Sequence, residues 1–281
     1  MHLATFVLST GRCGTQWLAQ ALDATFGART LVEHEPLHND YQPRAMLGVK
    51  DPAALGKAGE AILRHAERIE RELETRDYFE AGHPCWSSLP WLIRRLAGRI
   101  RIVHLVRHPV PTACSWVSHG AYVPPLLPHM AAKELILPTD AGVAFPDYAD
   151  VWPTLVPMEK CLYYWAEVNA FGLRLEREGA VPWLRVRYED VFGPGLGALQ
   201  ALATFLGLPA DAAGRLERGE VVDRYRYGLG EWPEPERIAR HPRIVALAES
   251  LGYRADAFSS QAIAGRFACP GVGVDRSARP A

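Results

Sequence analysis

Much that would classify this chain at a glance is missing from it. Charge of one sign is not in excess: 31 Lys and Arg stand against 32 Asp and Glu in 281 residues, a formal net charge of −1. Broad nucleic-acid binding needs a clustered basic surface, and this balance argues against it. Cysteine is scarce: the five residues are odd in number, scattered and without a C-x-x-C pair. That argues against a disulfide framework and against a structural zinc site. The N-terminus enters a strand with no basic leader, long apolar segment or cleavage-site pattern. The expectation is a soluble, cytoplasmic protein without signal peptide or membrane span. No internal repeat occurs. The nucleotide triphosphatase loop, G-x-x-x-x-G-K followed by Ser or Thr, is absent too, since the one glycine turn in the right setting has no lysine and no upstream glycine.

What is present starts at residues 3–18, LATFVLSTGRCGTQWL. The apolar, β-branched opening reads as a buried strand. The chain turns through Gly11 and Gly14, after which Trp17, Leu18, Ala21 and Leu22 share one helical face. A strand, a glycine turn and a helix N-terminus make an anion site. The free N–H groups of the first helical turn point at the bound group, and the helix dipole adds partial positive charge. Arg12 contributes a full charge and Thr15 a hydroxyl donor. Glycines alone are also what an ordinary strand-to-helix turn uses. The pattern Gly11-Arg12-x-Gly14-Thr15 directly after a strand favours the anion.

Residues 30–38, TLVEHEPLH, give a second strand that Pro36 ends, with Glu35 expected to stay extended. In a parallel sheet the strand C-termini share one edge with the phosphate loop, which brings Glu35 near the anion. A lone Glu here also suits a solvated acidic loop; the cluster Glu33, His34, Glu35 and His38 makes a proton-transfer role equally well supported. Residues 46–51 read as a short strand or turn, and 55–75 as a solvated amphipathic helix. Residues 78–80 end another strand, followed by the turn Gly82-His83-Pro84 and a helix over 87–97.

The second strong signal is residues 101–116, RIVHLVRHPVPTACSW. A strand runs to Arg107, Pro109 or Pro111 fits the first turn of the next helix, and Ser115 lies one or two turns in. A fork-shaped cation and a hydroxyl can hold a phosphate between them, although an arginine at a strand end is often a surface residue. Residues 120–157 are irregular and rich in proline and aromatics, including Tyr122, Phe145, Tyr148 and Trp152. They read as a lid forming a partly apolar or sugar-stacking acceptor pocket. Helices over 158–178 and 196–206 flank a strand over 183–188. A short helix before Gly219, a basic aromatic segment at 223–230 and a last helix over 236–250 follow. The alternation predicts an α/β fold with a mainly parallel sheet. One domain is expected over 1–258, with a flexible tail over 259–281.

Taken together, these stretches resemble the sulfotransferases that use 3′-phosphoadenosine 5′-phosphosulfate (PAPS), in their carbohydrate-directed or bacterial branch. Residues 9–18 look like the family's 5′-phosphosulfate loop and residues 106–115 like its 3′-phosphate motif. Arg187-Tyr188-Glu189-Asp190-Val191, Phe205-Leu206-Gly207-Leu208 and Leu251-Gly252-Tyr253 match downstream signatures in the right order. The resemblance implies a three-layer α/β sandwich like that of the P-loop NTPases and sulfuryl transfer from PAPS to a hydroxyl or amine, without a metal. It implies that Arg12 binds the 5′-phosphosulfate and steadies the bridging oxygen. Gly11, Cys13, Gly14, Thr15 and Gln16 would line the co-substrate, Trp17 would pack near the adenine, and Arg107 and Ser115 would hold the 3′-phosphate. Glu35 is the implied general base, with His34 and His104 as alternatives. His108 stands where the family has aspartate and Cys13 where it has a small residue; its C-terminal nucleotide motif is only loosely echoed by Arg224, Arg226, Gly228 and Gly230. The acceptor expected is a small molecule or glycan, a carbohydrate or lipid among them. A kinase-like phosphotransferase, which would need a Walker lysine and a magnesium carboxylate, and a non-catalytic nucleotide-binding protein are the competing readings.

Overall fold

The computed structural model describes residues 1–37, 43–124, 131–216, 234–254 and 256–257. Five strands, β1 (Ala4–Leu8), β2 (Thr30–His34), β3 (Asp77–Ala81), β4 (Ile100–Val106) and β5 (Trp183–Arg187), form one sheet in the order β2-β3-β1-β4-β5. Every pairing is parallel. The connections carry the helices. They are α1 (Thr15–Phe26), α2 (Pro43–Met46), α3 (Lys57–Glu72), α4 (Leu89–Arg95), α5 (Pro109–Ser118) and α6 (Pro157–Glu178), then α7 (Tyr188–Val191), α8 (Gly197–Phe205), α9 (Ala212–Arg215) and α10 (Pro242–Ser250) after β5.

Strand alternation sorts the core into two layers of contact. Ala4, Phe6 and Leu8 of β1 pack with Ala66, Ile69, Trp86, Leu89, Val110 and Trp165, on the face covered by α3 to α6. Val7 packs with Leu18, Leu22, Val103, Leu199 and Leu202, on the face covered by α1 and α8. The architecture is therefore α/β/α in three layers. β1 and β4, in the middle of it, are buried along their whole length, as strands covered on both faces must be. α3 is less solvated than its charges imply: buried His65 meets Glu80 of β3 at 2.7 Å, and Tyr78 donates to the same carboxylate at 2.8 Å.

The strand order has one functional consequence. From β1 the chain leaves towards β2 on one side, while β4 pairs on the other. The crevice at the carboxyl end of β1 is thus a topological switch point, where open α/β sheets bind ligands. The turns after β2, β3 and β4 open onto the same edge.

Some expectations shift. Of the two readings of residues 46–51, a short strand or a turn, the turn is the one found, directly after α2 ends at Met46. The helix expected over 236–250 is broken in two: a 3-10 turn, Pro235–Arg240, precedes α10, because Pro242 disfavours helical geometry at His241, which adopts φ −120° and ψ 72°. Where it is described, the insert at 120–157 is irregular apart from two 3-10 turns, Pro146–Ala149 and Trp152–Thr154, and it is pinned. Buried Glu167 of α6 accepts the Ala144 and Phe145 N–H groups at 2.7 and 2.8 Å, and Ile136, Phe145 and Tyr148 enter the core. His38, the 223–230 segment and the tail from 259 lie outside the described residues.

Candidate functional site

The loop after β1 is built on left-handed backbone: φ is 70° at Gly11, 58° at Arg12 and 78° at Gly14. Its glycines serve packing as much as bending. A Cβ on Gly11 would sit 2.9 Å from Trp116 Cζ2 and 3.2 Å from His83 Cβ; one on Gly14 would sit 2.7 Å from Phe192 Cε2. The loop is also tied from within. The Gly11 N–H donates to Ser9 Oγ at 3.1 Å, and Thr10 Oγ1 and Cys13 Sγ both donate to the Gly11 carbonyl, at 3.0 and 3.1 Å. Burial pushes the Cys13 thiol up to about 11, so this cysteine fills space as a neutral thiol. Gln16 is exposed. Trp17 is buried edge-on against Phe192, with centroids 4.8 Å apart.

Both arginines of the candidate site converge on this loop. Arg12 Nε donates to Ser115 Oγ at 3.0 Å. Arg107, at the carboxyl end of β4, donates through Nη1 to the Arg12 carbonyl and lies 4.3 Å over the Tyr188 ring. Ser115, on α5, is buried. Arg12, Arg107 and Ser115, from two distant stretches of sequence, are thus one connected cluster. His108 replaces aspartate without loss of order: its N–H donates to Glu189 Oε1 at 3.0 Å and its Nδ1 accepts from Val110 N–H at 3.2 Å. Its Nε2 donates to the Arg254 carbonyl at 2.7 Å, and Tyr253 donates to Glu189 Oε2 at 2.8 Å. The matched signatures at 187–191 and 251–253 therefore meet at the end of β4.

Glu35 is not extended. Its φ is 52°, a sparsely used conformation that costs about 1–3 kcal/mol at a non-glycine residue. Its N–H donates to the Ala81 carbonyl at 3.0 Å, which turns the chain towards β3. The carboxylate then accepts from His83 Nδ1 at 3.0 Å, across Gly82, where a Cβ would lie 2.3 Å from Glu35 Cγ. A carboxylate can only accept, so His83 carries its proton on Nδ1 and leaves Nε2 as a lone pair when neutral. His34 Nε2 lies 3.2 Å from Thr15 Oγ1 and 3.9 Å from Glu35 Oε1. His104 points the other way: it is fully buried against Asn169, and burial lowers it to about 3.

Sequence reasoning missed three residues here. His83 follows β3 in a Gly-His-Pro turn on the same sheet edge, so the rule that singled out Glu35 could have found it. Trp116 supports the loop: Nε1 donates to the Thr10 carbonyl at 3.0 Å, and its ring meets His83 edge-on with centroids 5.3 Å apart. Lys133, from the insert, lies with Nζ 4.9 Å from the centre of the Trp116 ring, and nothing local in the sequence marks it.

A glycine-built loop at the switch point of a parallel α/β sheet, with arginine beside it, is the arrangement of the P-loop-like α/β fold. The sulfotransferase domain model matches residues 4–226, and the chain belongs to that family. No curated protein matches it. Among solved structures it is similar to the sulfotransferase domain of the Synechococcus PCC 7002 olefin synthase, at 16% identity over 90% of this chain and 95% of that one, TM-score 0.47. It is similar to a sulfotransferase from Alicyclobacillus acidocaldarius, at 15% identity over 90% and 97%, TM-score 0.48. Mouse sulfotransferase SULT7A1, solved with PAP (3′-phosphoadenosine 5′-phosphate), is similar at 16% identity over 80% and 70%, TM-score 0.41. Among the described residues, no helix is long and apolar enough to cross a membrane.

Proposed function

We propose that this sulfotransferase takes its sulfuryl group from PAPS and delivers it to a hydroxyl, or an amine, of a small-molecule or glycan acceptor. The observation that carries this reading is the meeting of the Glu35–His83 pair with the Arg12 loop, whose Gly11 packs against His83. In the proposed reaction the acceptor oxygen bonds to sulfur, the bond from sulfur to the bridging phosphate oxygen breaks, and PAP leaves. The loop N–H groups and Arg12 bind the 5′-phosphosulfate, and Arg12 offsets the charge that builds on the bridging oxygen. Arg107 and Ser115 hold the 3′-phosphate, which would replace the Arg12–Ser115 contact. The acceptor proton goes to the carboxylate–imidazole pair. Glu35 remains the assigned base; His83 is the group that holds it and shares the proton, and buried neutral His104 has no part. The described parts of the insert, residues 120–124 and 131–157, serve the acceptor side.

Calorimetry with PAP, with and without a chelator, tests the reading, together with transfer of labelled sulfate from PAPS across an acceptor panel. Binding of PAP without magnesium and labelled product are expected. Tighter binding of ATP with magnesium would turn the assignment to a phosphotransferase, and PAP binding without transfer to any acceptor would turn it to a nucleotide-binding protein.

A further inference from the structure

Lys133 is distant in sequence from every residue assigned to the site, yet the insert delivers it there. Its ammonium lies 4.9 Å from the centre of the Trp116 ring, within the reach of a cation–π contact. That indole donates to the Thr10 carbonyl, sits against Gly11 and meets His83 edge-on. One ring thus contacts the glycine loop, His83 of the proposed proton-accepting pair, and Lys133.

The arm that carries Lys133 is held in several ways. Lys133 forms an isolated parallel bridge with Ala121, and its carbonyl accepts the Tyr122 N–H at 2.9 Å. Tyr122 adopts φ 59°, and its buried hydroxyl both donates to the Ile136 carbonyl at 2.7 Å and accepts from the Ile136 N–H at 2.9 Å. Arg44 ties the same arm through Glu134 at 3.1 Å and Asp140 at 2.9 Å. A flexible surface lysine needs none of this.

The electrostatics match. The side chain is exposed, yet surrounding protein lowers its pKa, the positive charge of Arg12 lowers it further, and Glu35 acts in the opposite direction. Lys133 and Arg12 are thus near enough for each to disfavour the other's charge, and Glu35, which favours it, is engaged with His83. An anion carrying several oxygens would relieve their repulsion.

We propose that Lys133 is a catalytic residue whose ammonium, together with Arg12, binds the transferring sulfuryl group. The proposal rests on the reading of the protein as a PAPS-dependent sulfotransferase. Lys133 stays protonated throughout and moves no proton. It binds the sulfuryl oxygens in PAPS and follows them as sulfur passes to the acceptor, while Arg12 takes the charge left on the bridging oxygen.

PAP and PAPS differ only by the sulfuryl group, so the ratio of their affinities reads this contact without an acceptor. Calorimetry on the wild type, Lys133→Met and Lys133→Arg is the experiment. Lys133→Met is expected to keep PAP affinity within about twofold and weaken PAPS about tenfold or more, the scale of one charge-assisted hydrogen bond. Lys133→Arg is expected to restore most of the loss. If Lys133→Met leaves both affinities unchanged, or lowers both by one factor together with the melting temperature, Lys133 only anchors the insert and the proposal is overturned. Wild-type protein that binds no PAP would overturn the functional reading itself, and this proposal with it.

Discussion

Replacing Arg107 by alanine separates the contacts this side chain makes within the protein from the 3′-phosphate contact proposed for it. The guanidinium donates to the Arg12 carbonyl and lies 4.3 Å over the Tyr188 ring. Losing the hydrogen bond costs about 1 kcal/mol net. Losing the cation–π contact costs about 0.5–2 kcal/mol. Both losses loosen the loop, so they weaken every ligand that the loop holds. The proposed 3′-phosphate contact is different. One or two charge-assisted bonds at about 1.5–3 kcal/mol each act only on ligands with a 3′-phosphate. PAP should therefore lose both contributions, and adenosine 5′-phosphosulfate, which lacks the 3′-phosphate, only the first. The ratio of the two affinities should fall about ten- to a hundredfold, or more. Arg107→Lys keeps the charge but not the fork or the stacked plane, and should fall between. Calorimetry at one fixed ionic strength measures the ratio, since such contacts are screened by salt. Equal losses for the two ligands would mean that Arg107 is only the clamp on Arg12, and that the 3′-phosphate is held elsewhere.

The remaining predictions concern the proton acceptor, the loop and pH. Glu35→Gln should lower turnover roughly 10²- to 10⁴-fold with PAP affinity little changed. His83→Gln should cost a similar factor and the double variant little more, because the pair acts as a unit. Near-normal turnover of Glu35→Gln beside a dead His34→Ala would move the base to His34. Gly14→Ala should destabilise the fold by about 1–3 kcal/mol through overpacking against Phe192, besides the strain of φ 78°, which a thermal melt reads directly. Burial lowers the pKa values of His104, to about 3, and of His108 and His241. The unfolded chain therefore binds more protons below about pH 6.5 than the folded one does, and stability should fall as the pH drops from there towards 3. His104→Gln should flatten that slope, and an unchanged slope would show that His104 does not carry it.

The sheet, the loop after β1 and the Arg107–Ser115 spacing were legible because each rests on local chemistry: β-branched runs, two glycines, and a proline at a helix start. Glu35 was legible as a strand-end carboxylate, but its geometry was not. Pro36 argued for an extended residue, and the Ala81 carbonyl at the end of β3 and His83 just after it, more than 40 residues away, outweighed it. The break before α10 was written in Pro242 and passed over inside an amphipathic pattern. Lys133 carries no local mark, since its position depends on the insert folding back through Ala121, Tyr122 and Glu167. Trp116 carries no local mark of its role in α5, and only the close approach of Gly11 reveals that it backs the loop.

Backbone strain gives an independent view of the same site. Among the described residues, the non-glycine residues with positive φ are Arg12, Glu35 and Tyr122. Each conformation costs free energy, of order 1–3 kcal/mol, and persists only where its surroundings over-determine it. The surroundings here are specific. Arg12 is held by Arg107 on its carbonyl and by Ser115 on its side chain. Glu35 is held by the Ala81 carbonyl and by His83. Tyr122 is held by Ile136 through both of its backbone polar groups, and by Lys133. The strained positions are scattered over 110 residues of sequence, from 12 to 122, and each fixes one charged group: the loop arginine, the carboxylate, or the lysine of the insert. A fold that only needed to turn its chain would have used glycine there, as it does at Gly11, Gly14 and Gly82. Side chains stand where the backbone resists them, as the proposed charge constellation would require.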